Sequence, residues 1–419
     1  MVTPVRKKPI AVIGGGISGI TVALEAADTG ADVVLVEKEP WLGGRVFMMH
    51  RYFPKLCSPL CGMEINFRRI RTNPKIRVIT GAAVESVSGA SGDFKIALNM
   101  AAELVNADCT SCGKCTAACP ETRVDDFNMG MSETKAIYLR HPMAYPARYA
   151  IDAGVCKGTK CAKCADVCEY GAINLNAKVA AMTVEASGVV YATGWKPYDA
   201  ARIGNLGFGK VKNVINNLMM ERMASLSGPT AGKIVRPSDG KEVKNIAFVQ
   251  CAGSRDENHL SYCSSVCCLA SLKQATYLRE LYPDSKATIF YIDIRTPGKY
   301  EAFYAKVAKD TSISFIKGKV AKVAEDAATG DVLVTAEDIF GGGKKSYRVD
   351  MLVLATGMEP NNAGNGFPLA RDADGFIADW KLPPGIFATG VAKNPADVTT
   401  SLMDAAATAI KTFASGGGV

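Results

Sequence analysis

Short apolar runs closed by glycine-rich turns recur along this chain. Ile10–Ile13 (IAVI) is followed by GGGISG and then ITVALEAAD, which predicts a buried strand, a tight turn and a helix. Val33–Val36 (VVLV) predicts the next strand, ending at Glu37. Two later runs, GVVYATG at 188–194 and DMLVLATG at 350–357, read as apolar strands that end in small-residue turns. NIAFV at 245–249 opens another α/β segment, and GIFATG with the following NPADVTTSLMDAAATAI predicts a last strand and helix. Strands alternating with helices argue for an α/β fold with parallel sheets.

The first unit carries specific chemistry. Gly14, Gly16 and Gly19 form G-x-G-x-x-G at the start of a helix, with Ile17 and Ser18 inside the motif. Glycines there allow the tight turn, close approach of a pyrophosphate, and close packing of helix on strand. Glu37 stands eighteen residues after Gly19, where a carboxylate accepts bonds from ribose hydroxyls, with Lys38 beside it. The sequence continues into Gly43, Gly44 and Arg45, the extension typical of flavoproteins with two dinucleotide-binding domains, so FAD is expected. The turns Ala192, Thr193, Gly194 and Ala355, Thr356, Gly357 resemble that superfamily's chain crossings, and Gly390 lies in the segment expected to close over the flavin. The superfamily's usual Asp after that glycine is Val391 here.

Fourteen cysteines change the picture. In a chain whose opening apolar run ends in a glycine turn rather than a leader cleavage site, clustered cysteines point to metal or redox chemistry. Cys109, Cys112, Cys115 and Cys119, followed by Pro120, have the C-x2-C-x2-C-x3-C-P spacing of bacterial ferredoxins. In that pattern three thiolates hold one [4Fe–4S] cube and the fourth crosses to another. The expected sets are Cys109, Cys112, Cys115 and Cys168 for one cube, and Cys119, Cys156, Cys161 and Cys164 for the other. Glu169 stands where a proline usually follows the second run. A plant-type [2Fe–2S] centre and zinc are the competing readings.

The boundaries expected are 1–105 for the first part of an FAD-binding domain, then 106–180 for the inserted ferredoxin-like unit. The FAD-binding domain resumes at 181–235 and 349–419, and 236–348 is a degenerate NAD-type domain. In that last domain the strand leads to QCAGSRDENHLSYCSSVCC instead of a glycine-rich turn. Cys251, Cys263, Cys267 and Cys268 are candidate ligands of a third [4Fe–4S] cluster, placed where a nicotinamide would meet the flavin. Helical spacing is expected to put Cys263 and Cys267 on one face; four small thiols packed beneath a sheet are the plainer alternative. Cys57 and Cys61 are expected near the flavin, with no chemistry assigned.

The net charge of +8 is modest. Arg68, Arg69, Arg71, Lys75 and Arg77 form the densest basic stretch and read as a solvated surface, with docking of an acidic partner as the functional alternative. No aromatic-interleaved motif suggests nucleic acid. His50, His141 and His259 sit in no triad or zinc spacing. No run of eighteen apolar residues is present, so no membrane span is expected and the chain is expected in the cytoplasm.

With FPKLCSPLC, CTSCGKCTAACP, DDFNMGMSETKAIY, CKGTKCAKCADVCEYGAI and VQCAGSRDENHLSYCSSVCC in this order, the chain resembles the A subunit of heterodisulfide reductases. The resemblance implies a thioredoxin-reductase-like pair of Rossmann domains with an inserted ferredoxin-like unit, FAD, and a cluster at the Cys251 motif. It also implies an electron-transfer role in a multi-subunit complex. The family's A subunit is usually longer, and by size the chain looks like the A subunit of quinone-interacting membrane-bound oxidoreductase complexes. That likeness implies three partners: another flavin and iron–sulfur subunit, one quinone-reactive membrane subunit, and adenylylsulfate reductase. A flavin subunit that bifurcates electrons and a free-standing disulfide or NAD(P)H oxidoreductase are the alternatives.

Overall fold

Ile10–Ile13 lies at the centre of a five-stranded parallel sheet in the computed structural model, which describes residues 8–361 and 369–415. The strand order is Ile386–Ala388, Gly188–Tyr191, Ile10–Ile13, Val33–Val36, Ile76–Ile79. β-Branched residues suit these strands because both faces are covered. One face carries Ala11, Ile13, Val34 and Val36 into a core shared with an antiparallel sheet of Ala82–Ala90, Asp93–Met100 and Ala180–Ala186. The helices Ile17–Asp28 and Val398–Ser415 pack on each other and against the parallel sheet. Burying each Val or Ile there contributes on the order of 1.5–3 kcal/mol. These elements belong to the first of two compact units, Met1–Phe47, Leu60–Trp195 and Pro360–Val419.

The cysteine-rich insertion leaves and re-enters this unit at adjacent points. Met100 pairs with Ala180 across the antiparallel sheet, so residues 101–179 replace what would otherwise be a hairpin loop. Closing even a long loop across a preformed hairpin adds little entropy cost. Within the insertion Val105 bridges Ile173 in antiparallel fashion, and the short helices Lys114–Ala118 and Lys163–Asp166 pack together. Both helices follow a left-handed residue, Gly113 and Ala162, in the parallel contexts SCGKC and KCAKC.

The second unit is Met48–Pro59 and Lys196–Glu359. Its parallel sheet runs Val214–Asn216, Met351–Thr356, Asn245–Ala252, Lys286–Tyr291, Ile313–Lys317. An antiparallel sheet of Val320–Glu325, Val332–Glu337 and Lys344–Val349 accompanies it. The unit divisions differ from the sequence boundaries. Residues 196–235 and 349–359, expected in the FAD-binding domain, lie in the second unit because Val214–Asn216 and Met351–Thr356 pair within its sheet. An apolar strand ending in a small-residue turn looks the same in either sheet.

Candidate functional site

The glycine-rich turn follows the central strand of the first unit, at the carboxyl edge where open α/β sheets bind ligands. Gly14 has φ +110°, and a Cβ there would stand 2.4 Å from the Ala192 carbonyl oxygen. A Cβ on Gly19 would fall 1.8 Å from the Gly14 carbonyl oxygen. The turn therefore runs directly against the Ala192–Gly194 turn and the helix sits tight on the strand. Gly44 approaches Gly16 closely, and Gly390 faces the Ser18 hydroxyl. Gly14, Gly16, Ser18, Gly19, Gly43, Gly44, Ala192 and Gly390 are thus brought together around one crevice, with Thr193 and Gly194 on the adjoining turn and Ile17 at the helix start.

Glu37 is 8% exposed. Its Oε2 accepts from the Gly15 N–H at 2.6 Å and its Oε1 from the Glu39 N–H at 2.9 Å. Burial pushes the carboxyl upward, and these backbone bonds act against that. Each oxygen retains a lone pair for a ribose hydroxyl. Lys38, next in sequence, is exposed. Arg45 donates from Nε to the Trp195 carbonyl, while burial and then the neighbouring Arg140 lower its pKa.

Arg140 belongs to a strap from the insertion that the sequence reading did not single out. The strap wraps the loop after Glu37: Tyr145 O accepts from the Leu42 N–H at 2.8 Å, and Arg148 O from Trp41 Nε1 at 2.9 Å. Arg140 pairs with Glu39 at 3.0 Å and lies over the Trp41 ring. Nothing periodic in HPMAYPARY signals this; its aromatic and Arg content was the available hint.

At the position of the missing Asp, Val391 is buried. Asp404, on the last helix, accepts from Thr389 Oγ1 at 2.8 Å, the Gly390 N–H at 2.8 Å and Lys393 Nζ at 2.7 Å. This carboxylate orders the turn that faces Ser18, and sequence reasoning missed it.

In the insertion Cys115, Cys119 and Cys164 are buried in a small core of their own, with Cys109 and Cys156 packed against it. Burial raises the Cys115 thiol, and Cys109 and Cys112 push it the same way. Burial raises Cys164 to about 11, with Cys156 and Cys119 adding to the effect. Cys119 is therefore a neighbour of the second run, the direction in which a crossed ligand must point. Glu169, next to Cys168, pairs with Lys114 of the first run. Cys112 is exposed, and Cys161 and Cys168 are half-buried.

Cys251, Cys263, Cys267 and Cys268 share one neighbourhood of the second unit. Burial raises the thiols of Cys251, Cys267 and Cys268, and the other cysteines of the set add to each shift. Cys251 sits at a β-bulge: Val249 pairs with Leu354 and Ala252 with Thr356, so one extra residue is accommodated. Its φ of +54° turns the side chain out of the strand's alternation. The helix begins at Cys267, so Cys263 is in the preceding loop and not on a helical face with Cys267. Left-handed Ser265 breaks the helix, and Ser264 Oγ instead accepts from the Met358 N–H. The two helical thiols occupy an N-terminus, which favours thiolate. Thr356 and Gly357 lie here as well: Cys267 Sγ donates to Thr356 O, and Gly357 packs on Ser254 and Ser264. Both belong to the second unit.

Fourteen residues, 253–266, separate strand from helix in the second unit, in place of a short phosphate-binding turn. A Cβ on Gly253 would meet the Tyr198 ring at 2.6 Å, and the Tyr198 hydroxyl bonds His259 Nδ1. His50 donates its N–H to Glu221, and His141 Nδ1 accepts from the Met143 N–H, so all three histidines have structural roles. Cys57 belongs to the second unit and Cys61 to the first, and both are exposed. Among the described residues no three His, Cys, Asp or Glu side chains converge on a single metal ion. No described helix is long and apolar enough to cross a membrane.

Comparison with known proteins agrees with this geometry. Residues 9–118 match the FAD-dependent oxidoreductase family. The chain is 35% identical over 415 residues to the A subunit of the H(2):CoB-CoM heterodisulfide,ferredoxin reductase of Methanothermobacter thermautotrophicus, covering 96% of this chain and 62% of that protein. It is 37% identical over 415 residues to an iron–sulfur A subunit of the CoB–CoM heterodisulfide reductase of Methanopyrus kandleri, covering 96% of this chain and 63% of that one. The chain thus spans less than two thirds of the length of these relatives. Among solved structures, T. acidophilum thioredoxin reductase superposes with a TM-score of 0.54 at 15% identity, over 98% of each chain, and shares the fold.

Proposed function

We propose that this heterodisulfide reductase A-like, FAD-dependent oxidoreductase chain is an electron-transfer subunit that joins a flavin to iron–sulfur clusters. One observation carries the reading: the cysteine-rich insertion leaves and re-enters the FAD unit at paired residues, and its strap wraps the loop that follows Glu37. Bound FAD exchanges two electrons and releases them singly, and [4Fe–4S] clusters relay single electrons. The glycines of the first unit give the pyrophosphate backbone access, Glu37 receives the ribose, and Asp404 holds the closing turn. Cys109, Cys112, Cys115 and Cys168 would hold one cluster, and Cys119, Cys156, Cys161 and Cys164 the other. The all-thiol donor sets and the nearness of Cys119 to Cys164 fit these groups. Cys251, Cys263, Cys267 and Cys268 would hold a third.

The narrower reading places the subunit, through partners, on the inner face of the cell membrane, between menaquinol and adenylylsulfate reductase. Co-purification of a quinone-reactive membrane subunit with the tagged chain tests it. The electron-transfer reading is tested by anaerobic stopped-flow. A reduced one-electron carrier should bleach the flavin, and a Cys112→Ser, Cys161→Ser variant that keeps FAD should lose that route. Equal bleaching in the variant would overturn it.

A further inference from the structure

Arg255 lies beside the Cys251 thiol in the second unit, in a network that joins two of that group's cysteines. Its φ is +58°, a conformation that bulky residues rarely adopt and that clusters at functional sites. The guanidinium places its charge beside the Cys251 thiol, where it acts against the upward push of burial, and it is anchored by an ion pair with Asp293. Asp293 returns to the same group, because its carbonyl accepts from Cys268 Sγ at 3.8 Å. Arg295 Nε also reaches the Asp293 carboxylate at 3.5 Å. The bulge that turns Cys251 aside and the left-handed Arg255 four residues later therefore aim a thiol and a fixed cation at each other.

Surface fold maintenance explains this poorly. An Arg–Asp pair at half-exposed positions adds little stability by itself. A cation beside a ligand sulfur does something specific: it stabilises the extra negative charge of the reduced centre, and net charge around the sulfurs is among the levers that set cluster potentials.

We infer that Arg255, held by Asp293, is a positioning residue that orients Cys251 and raises the reduction potential of the cluster at Cys251, Cys263, Cys267 and Cys268. The inference rests on the third-cluster reading above. One electron enters the centre on reduction, and Arg255 keeps its proton throughout, so no proton is exchanged with it.

The test is an EPR-monitored redox titration of the anaerobic full-length chain, with the relevant signal identified as the one lost in Cys267→Ser. Arg255→Gln should keep that signal and lower its midpoint. At a fixed ambient potential the reduced-to-oxidised ratio should fall on the order of tenfold, or ~59 mV for one electron. Arg255→Lys, which keeps the charge without the planar fork, should fall between. If Arg255→Gln loses the signal altogether, Arg255→Lys decides, and a wild-type midpoint in it overturns the inference. An unchanged midpoint in an intact Arg255→Gln protein overturns it as well. If no signal depends on Cys267 in the wild-type chain, the third-cluster reading itself fails, which is a distinguishable result.

Discussion

Glu37 was legible as a candidate ribose acceptor because a carboxylate closes the second strand at the right distance from the glycines. Its bonds to the Gly15 and Glu39 N–H groups were not, since they depend on how the loop folds back. Glu37→Ala removes a charged acceptor, worth about 1.5–3 kcal/mol. FAD affinity should fall roughly ten- to a hundredfold by fluorescence titration; unchanged affinity would remove Glu37 from the site. Asp404 was invisible in sequence because its partners are eleven to fifteen residues away and meet it only through the fold. Burial opposes its ionisation, but Lys393, Gly390 and Thr389 outweigh that and hold the carboxyl below its ordinary 3.8. A carboxyl depressed in the folded state adds stability that is present above the unfolded pKa and lost as pH falls through the folded one. Lys393 behaves oppositely: burial lowers it, yet Asp404 and Asp379 raise it above 10.5, so its contribution is lost only as pH rises through that higher value. Asp404→Asn should therefore lower Tm at pH 7 and lose that difference as pH falls below about 4 and through the depressed folded value. A Tm gap that persists at the acid end would contradict this.

At the scale of elements, spacing alone predicts two ferredoxin runs with a crossed ligand, because three thiolates three positions apart would wrap one face of a cube and leave the fourth beyond reach. Cys119 and Cys156 are both neighbours of Cys164, and Cys119 shares a small core with Cys164. Cys119→Ser should broaden or abolish the EPR signal of the cluster held by Cys156, Cys161 and Cys164 before the other; the reverse order would contradict the crossing. The start of the helix near residue 263 was misread. Cys263 has helical spacing to Cys267, but a left-handed Ser265 and the Ser264 hydroxyl bond to Met358 stop the helix at Cys267. A bulge at Cys251 is likewise unreadable from sequence, since an inserted residue looks like any other strand residue until its partner is known.

Across the whole molecule, the apolar runs identified both parallel sheets but not which sheet each later strand joins. Met351–Thr356 resembles Gly188–Tyr191 in pattern and pairs with a different partner. The long loop 253–266, with Tyr198 filling the space beside Gly253, replaces a phosphate-cradling turn. NADH and NADPH should accordingly fail to bleach the flavin on the millisecond scale in stopped-flow, and rapid bleaching by either would restore a nicotinamide site. The claim that a flavin and ferredoxin-type clusters share this chain is tested most directly by one measurement: FAD, iron and acid-labile sulfide in anaerobically purified protein. The account predicts one FAD with about twelve iron and about twelve sulfide per chain, from three cubes of four. About eight of each would remove only the Cys251 cluster, whereas an FAD-loaded chain without acid-labile sulfide would contradict the account.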